Sequence, residues 1–263
     1  MAAAVPKRNR RTDRPRHRVP ALDVAPRIGT GLLPGVEARD GHTTVSTAAG
    51  ASGDDWLLWQ LADSAFPTGG FGHSGGLEAA CQHGEVTRAG LPGFLEASLR
   101  QCARAALPLV TAAHTESQRL TEFDQLCDAF LSNHVANRAS RLQGRAFWTA
   151  VTRAFLPELA EPPELCHLAP VFGVLTQRLA ITAPSAARLF LFLHLRGLVS
   201  SAVRLGVIGP LEAQAVQHRL GTVAEAVATQ AASFTLDNLT QTAPLLDLWQ
   251  GAQDRLYSRL FQS

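Results

Sequence analysis

From Asp54 onward, apolar residues recur at helical spacing, and prolines and glycines interrupt the recurrence at short intervals. This pattern constrains the fold more than any other feature, because a stripe of period 3.6 cannot form the buried face of a strand. Leu57, Leu61 and Ala65 lie four residues apart, with Leu58 and Ala62 beside them. Pro67 closes that run, since proline cannot continue the hydrogen-bond ladder. Further helical segments read as 77–83, 91–105, 108–119, 123–131, 135–155, 168–179, 184–205, 211–220, 223–232 and 245–261. Thr121 and Thr182 stand where N-caps belong. The last segment carries Leu245, Trp249, Ala252, Leu256 and Leu260 as one stripe. Alternating runs are short, and the chain has only 17 Val and 3 Ile, which disfavours strands. No fixed-length repeat is present, so a solenoid is excluded. The expected fold is all-α, a single helical-bundle domain of about ten helices over residues 54–263.

Residues 1–53 differ in kind. They are rich in Arg, Pro, Gly, Ser and Thr, lack an apolar period, and are expected to be a disordered basic tail. Nine Lys/Arg against four acids give this stretch a net charge of +5, and the remainder, with 15 Arg and 18 acids, is −3. The folded part therefore lacks the basic stripe of a nucleic-acid binder. The apolar run at 179–208 is interrupted by Arg188, His194, Arg196 and Arg204, so it reads as a core helix and not a membrane span. Cys81, Cys102, Cys127 and Cys166 form no C-x-x-C pair, which points to reduced thiols. The N-terminus has no secretory apolar region, and Asp13 with Pro6, Pro15 and Pro20 spoils an amphipathic transit helix. A cytoplasmic location is expected.

The stretch FPTGGFGHSGGLE (66–78) contains Gly72-His73-Ser74-Gly75-Gly76, a literal G-x-S-x-G. A nucleophile elbow joins a buried parallel strand to a helix. Here the preceding residues hold Pro67 and no Val/Ile run, and the rest of the chain lacks βα alternation. A serine hydrolase using Ser74 is thus the weaker alternative. The glycines fit a tight turn or contact site, with Ser74 capping the helix that starts at Leu77 and Glu78 in its first turn. On that reading Gly→Val at Gly70 or Gly75 is damaging and Ser74→Ala is mild. The nine histidines form no H-x-x-x-H, and the only lysine is Lys7, outside any P-loop pattern. No catalytic residue, stable metal site or bound cofactor is expected. Arg138, Arg141 and Arg145 fall at i, i+3 and i+7, a positive stripe that is either a solvated face or a site for a partner's carboxylates.

Five blocks, in order, resemble the urease accessory protein UreF family: LLWQLADSAFPTGGFGHSGGLEAA, NRASRLQGR, HLAPVFGVL, SAVRLGVIGPLEAQ and LYSRLFQS. They span about 55–263. The resemblance implies an all-α, dimerising, non-enzymatic protein. It implies work with the accessory protein UreD (also called UreH) and the GTPase UreG in delivering Ni²⁺ to apo-urease. Nickel would pass transiently, and GTP would be bound by the partner GTPase. The resemblance, together with surface chemistry, marks three partner surfaces. One is the glycine-rich loop with Pro67, Thr68, Gly69, Gly70, His73, Ser74, Gly75, Gly76 and Glu78. The second is Arg138, Ser140, Gln143, Gly144 and Arg145, and the third is Tyr257, Arg259, Leu260 and Phe261. Where the family commonly has a basic residue, a histidine and an acid ahead of the last block, this chain has Ala252, Gln253 and Asp254. A helical adaptor of another assembly is the remaining alternative.

Overall fold

A computed structural model describes residues 54–263 except Ala160. The tail assigned to 1–53 lies outside the described residues. Ten α-helices occur among them: α1 (Asp54–Ala62), α2 (Leu77–Gln82), α3 (Leu91–Ala105), α4 (Leu107–Thr115), α5 (Leu120–Phe130), α6 (His134–Ala154), α7 (Leu168–Arg178), α8 (Ala183–Arg204), α9 (Pro210–Ala231) and α10 (Pro244–Ala252). No strand is present among the described residues. The all-α expectation is met.

The bundle is built around α7. Every residue from Ala169 to Thr176 is buried, as a helix apolar on all sides requires. It packs against α4, α5, α6 and α8. Two glycines set how closely these elements approach. A Cβ on Gly173 would lie 2.2 Å from Val110 O of α4, and one on Gly144 of α6 would lie 1.9 Å from Cys166 O. No side chain fits at either position. Phe147 of α6 stacks on Phe172 of α7 at 4.9 Å between centroids, and Phe172 meets Phe190 of α8 edge to face at 5.1 Å. By length and composition α8 is apolar enough to cross a membrane. Here Leu189, Phe190, Leu191, Leu195, Leu198 and Val199 are buried within the bundle.

Local signals explain most boundaries. The Thr182 side chain accepts the Ser185 N–H, and Asn133 accepts those of Val135 and Ala136, each capping its helix. Three expectations are corrected. Residues 211–220 and 223–232 belong to one helix, α9, which runs through Gly221; an exposed helical glycine costs only about 1 kcal/mol against alanine. Thr121 lies inside α5, whose N-cap is Arg119. The stripe 245–261 does not stay helical. α10 stops at Ala252, a 3-10 turn covers Gln253–Arg255, and the chain then runs irregularly to Ser263.

Candidate partner-binding site

The glycine-rich loop and the segment after α10 meet on one edge of the bundle. Gly72 O accepts the Gln262 N–H at 2.8 Å, and the Ser74 N–H donates to Ser263 O at 2.5 Å. His73 Nδ1 and Ser263 Oγ are 2.6 Å apart, with the donor set by the ring tautomer. Gly69, Gly75 and Gly76 have φ of 72°, 60° and 86°, the left-handed region that suits glycine. Gly76 also abuts α10, because a Cβ there would sit 2.9 Å from Gln250 N. Gly70 is different: it lacks positive φ, and a Cβ would make ordinary contacts 3.5–3.6 Å from Thr68 and Gln143.

Ser74 is not positioned as a nucleophile. It is fully buried, and its Oγ accepts the Glu78 N–H at 3.4 Å. The N-cap of α2 is Gly76 and not Ser74 as expected, so Ser74 serves the helix start from two residues upstream of the actual cap. Glu78 was expected simply to favour the helix dipole, but its role is larger. Its carboxylate is buried and binds the segment after α10 directly. Oε1 accepts the Leu260 N–H at 2.7 Å and Oε2 that of Phe261 at 3.2 Å. Gln253 Nε2 donates to Oε2 at 2.5 Å. Beyond the point where α10 has ended, the amides of Leu260 and Phe261 thus bond Glu78 in place of carbonyls four residues back.

Outside this buried layer the surface is apolar. Phe71, Leu260 and Tyr257 are exposed, Tyr257 completely. The Arg204 guanidinium lies between the Phe71 and Phe261 rings, 3.9 and 4.1 Å from their centroids, and donates to Phe71 O. Phe261 is buried and anchors the segment from below.

The arginine stripe on α6 is engaged within the chain. Arg138 pairs with Asp254 at 2.8 and 3.1 Å, and Arg259 and His134 reach the same carboxylate. The Arg138 bond holds the Asp254 carboxyl below its usual range. Arg141 Nε donates to Leu165 O at 3.2 Å and Arg145 Nη2 to Glu164 O at 2.8 Å. Ser140 Oγ accepts the Leu168 N–H at 3.2 Å at the start of α7. Of the residues expected from sequence, the structure brings the glycine loop, Glu78, Arg138 and Tyr257–Phe261 to one edge. Ser140, Gly144 and Arg145 serve the turn before α7. Pro67 is exposed at the loop entrance, and Thr68 Oγ1 accepts the Gly70 N–H. Gln143 reaches towards Gly70. Sequence reasoning missed Phe71, Arg204, Gln253 and Asp254. Only Phe71 and Arg204 lay within quoted blocks, and the helical reading of 245–261 hid the other two.

Beneath the loop lies a cavity of about 260 Å³ whose wall includes His73, Ser98, Cys102, Cys127 and His194. Burial pushes both the Cys102 and the Cys127 thiol up to about 12, so both are protonated at neutral pH. Burial pushes His194 down to about 4, and its Nε2 lies 2.8 Å from Ser98 Oγ.

A model of the UreF family matches residues 86–221 of this sequence. The chain belongs to the UreF family. The UreF match runs from just before α3 into α9 and leaves both the glycine loop and the segment after α10 outside it. Individual relatives extend further. A protein named urease accessory protein F from Arabidopsis thaliana is 36% identical over 224 residues, covering 79% of this chain and 92% of its own length. One of the same name from Oryza sativa subsp. indica is 35% identical over 220 residues, covering 78% and 84%. A urease accessory protein UreF from Mycobacterium tuberculosis is 30% identical over 212 residues, covering 79% and 98%. Gln253 is fully buried in this chain and bonds Glu78.

Proposed function

We propose that this UreF-family chain is a non-catalytic scaffold that acts with UreD (UreH) and the GTPase UreG to deliver Ni²⁺ to apo-urease in the cytoplasm. Nickel is cargo that passes through the assembly, and GTP belongs to the partner GTPase. The chain works as a homodimer within that assembly. The observation that carries this reading, beside family membership, is the loop–segment edge. Exposed Phe71, Tyr257 and Leu260 stand outside a buried polar layer, large apolar side chains of the kind that protein partners cover. The buried Ser74 hydroxyl and the protonated cavity thiols favour a scaffold over a hydrolase or a resident metal site.

Co-purification of the full chain with UreD and UreG tests the proposal. Recovery of a complex supports it, and failure to bind either partner or their urease complex overturns it. Deleting the gene in a urease-positive host should leave urease protein present but poorly active. Full urease activity at ordinary nickel supply would refute a required role.

A further inference from the structure

The chain after α10 crosses the glycine loop as a strap, and one side chain, Glu78, accepts two of its successive backbone amides. Glu78 is fully buried, and among the described residues no cation pairs with it. Its two oxygens are instead surrounded by neutral donors: the Leu260 and Phe261 amides, Gln253 Nε2 at 2.5 Å and Gln82 Nε2 at 3.4 Å. A carboxylate accepts at both oxygens, so it can bind two successive backbone N–H groups at once. No neutral side chain of the same size does this, because an amide presents one acceptor and one donor. The rest of the strap is held at its end by the Gln262–Gly72 and Ser74–Ser263 backbone bonds, and midway by Gln82 Nε2 donating to Ser258 O at 3.0 Å, while its outer side faces solvent. Arg255, Tyr257, Ser258, Arg259 and Leu260 are all exposed.

The lock is also incompletely satisfied. Among the described residues, Gln253 Oε1 is buried without a hydrogen-bond partner. A buried orphan acceptor disfavours the closed arrangement and regains water when the strap lifts. Ser263 and His73 both line the cavity beneath, so lifting the strap also unroofs it.

We propose that Glu78 is the positioning residue of a two-state strap. With its carboxylate engaged, residues 253–263 lie on the bundle and present Tyr257 and Leu260 beside Phe71; with that engagement lost, the strap lifts while the helical core stays folded. The link from strap position to partner binding rests on the scaffold reading above, but the strap itself does not.

Amide hydrogen exchange on the full chain tests this, comparing wild type, Glu78→Gln and Glu78→Ala. The expected result is at least tenfold faster exchange at Leu260 and Phe261 in Glu78→Gln, more in Glu78→Ala, and unchanged exchange across Val171–Thr176 of α7. Trypsin should cut Arg259–Leu260 correspondingly faster, since the scissile amide is the one Glu78 accepts. Unchanged exchange at both strap amides overturns the proposal, as does equal acceleration in strap and core. Co-purification with UreD and UreG then separates the two readings. If wild type binds and Glu78→Gln binds tenfold more weakly, the positioning role extends to the partner. If wild type and Glu78→Gln bind alike with the strap released, that extension fails and the scaffold function survives. If wild type fails to bind, the scaffold function falls and the exchange result alone decides the lock.

Discussion

Two buried carboxylates in this protein do the same chemical job in different surroundings. Asp124 accepts the N–H groups of Cys166 and His167, both at 2.7 Å, and Glu78 accepts those of Leu260 and Phe261. The Asp124 clamp sits inside the bundle. Cys166 has a φ of 63°, unusual for a side chain that is not glycine, and Gly144 presses against its carbonyl with no room for a methyl group. His167 beside it is buried and bonded to Ser140 and Asp128. The Glu78 clamp holds a segment whose other side faces solvent. The lesson is that a hydrogen-bond clamp fixes its target only as firmly as the packing around it. The turn before α7 is held by sterics and bonds together, the strap by bonds and one anchoring ring, Phe261.

The comparison can be broken at either end. Gly144→Ala has the largest expected effect. Its Cβ would meet Cys166 O at 1.9 Å, so the turn must move or α6 must shift, at a cost of at least about 3 kcal/mol. A urea midpoint lowered by less than about 1 kcal/mol equivalent would show that this junction is as yielding as the strap edge.

The interior beneath the loop should also respond to acid. His194 is held at about 4 in the fold against the ordinary histidine value of 6.5, so the unfolded chain binds the extra proton between those limits. Stability is therefore full above pH 6.5 and declines towards pH 4, by roughly 3 kcal/mol for this group. Thermal unfolding of wild type and His194→Gln across that range measures it, and the variant should show the shallower slope.

Within the loop, Gly75→Val should cost about 2 kcal/mol, since φ is +60° and Leu198 lies 3.0 Å from the new Cβ. Gly70→Val should cost under about 1 kcal/mol, contrary to the equal damage expected from sequence. Equal losses would mean that the loop tolerates no side chain anywhere. The smallest effect belongs to the rim: Arg138→Ala removes a half-exposed pair with Asp254 and should change stability by no more than about 1 kcal/mol. A larger loss would place the Asp254 cluster with the rigid half of the molecule.

How much of this was legible in the sequence follows from the same contrast. The helices were readable because their signals are local. The bounds 91–105 of α3 match to the residue, and Thr182 caps α8 as its position implied. The strap was not readable. Leu256 and Leu260 continue a helical stripe, yet the Leu260 amide is taken by a carboxylate 182 residues away in sequence. Gly221 misled in the opposite direction, since buried neighbours such as Leu220 and Val227 carry α9 through a residue that locally favours a stop. At the candidate site the sequence drew attention to the serine of the glycine loop. Ser74 carried the motif, and the working side chain is Glu78, whose role depends on residues that no local pattern connects to it.

Tyr257 is the chain's only tyrosine and is fully exposed on the strap. The protein therefore carries a single phenol, at the segment whose position matters most. A phenol-directed label or a tyrosine-selective spin probe would land there without any engineered residue, and would report strap position in the native sequence.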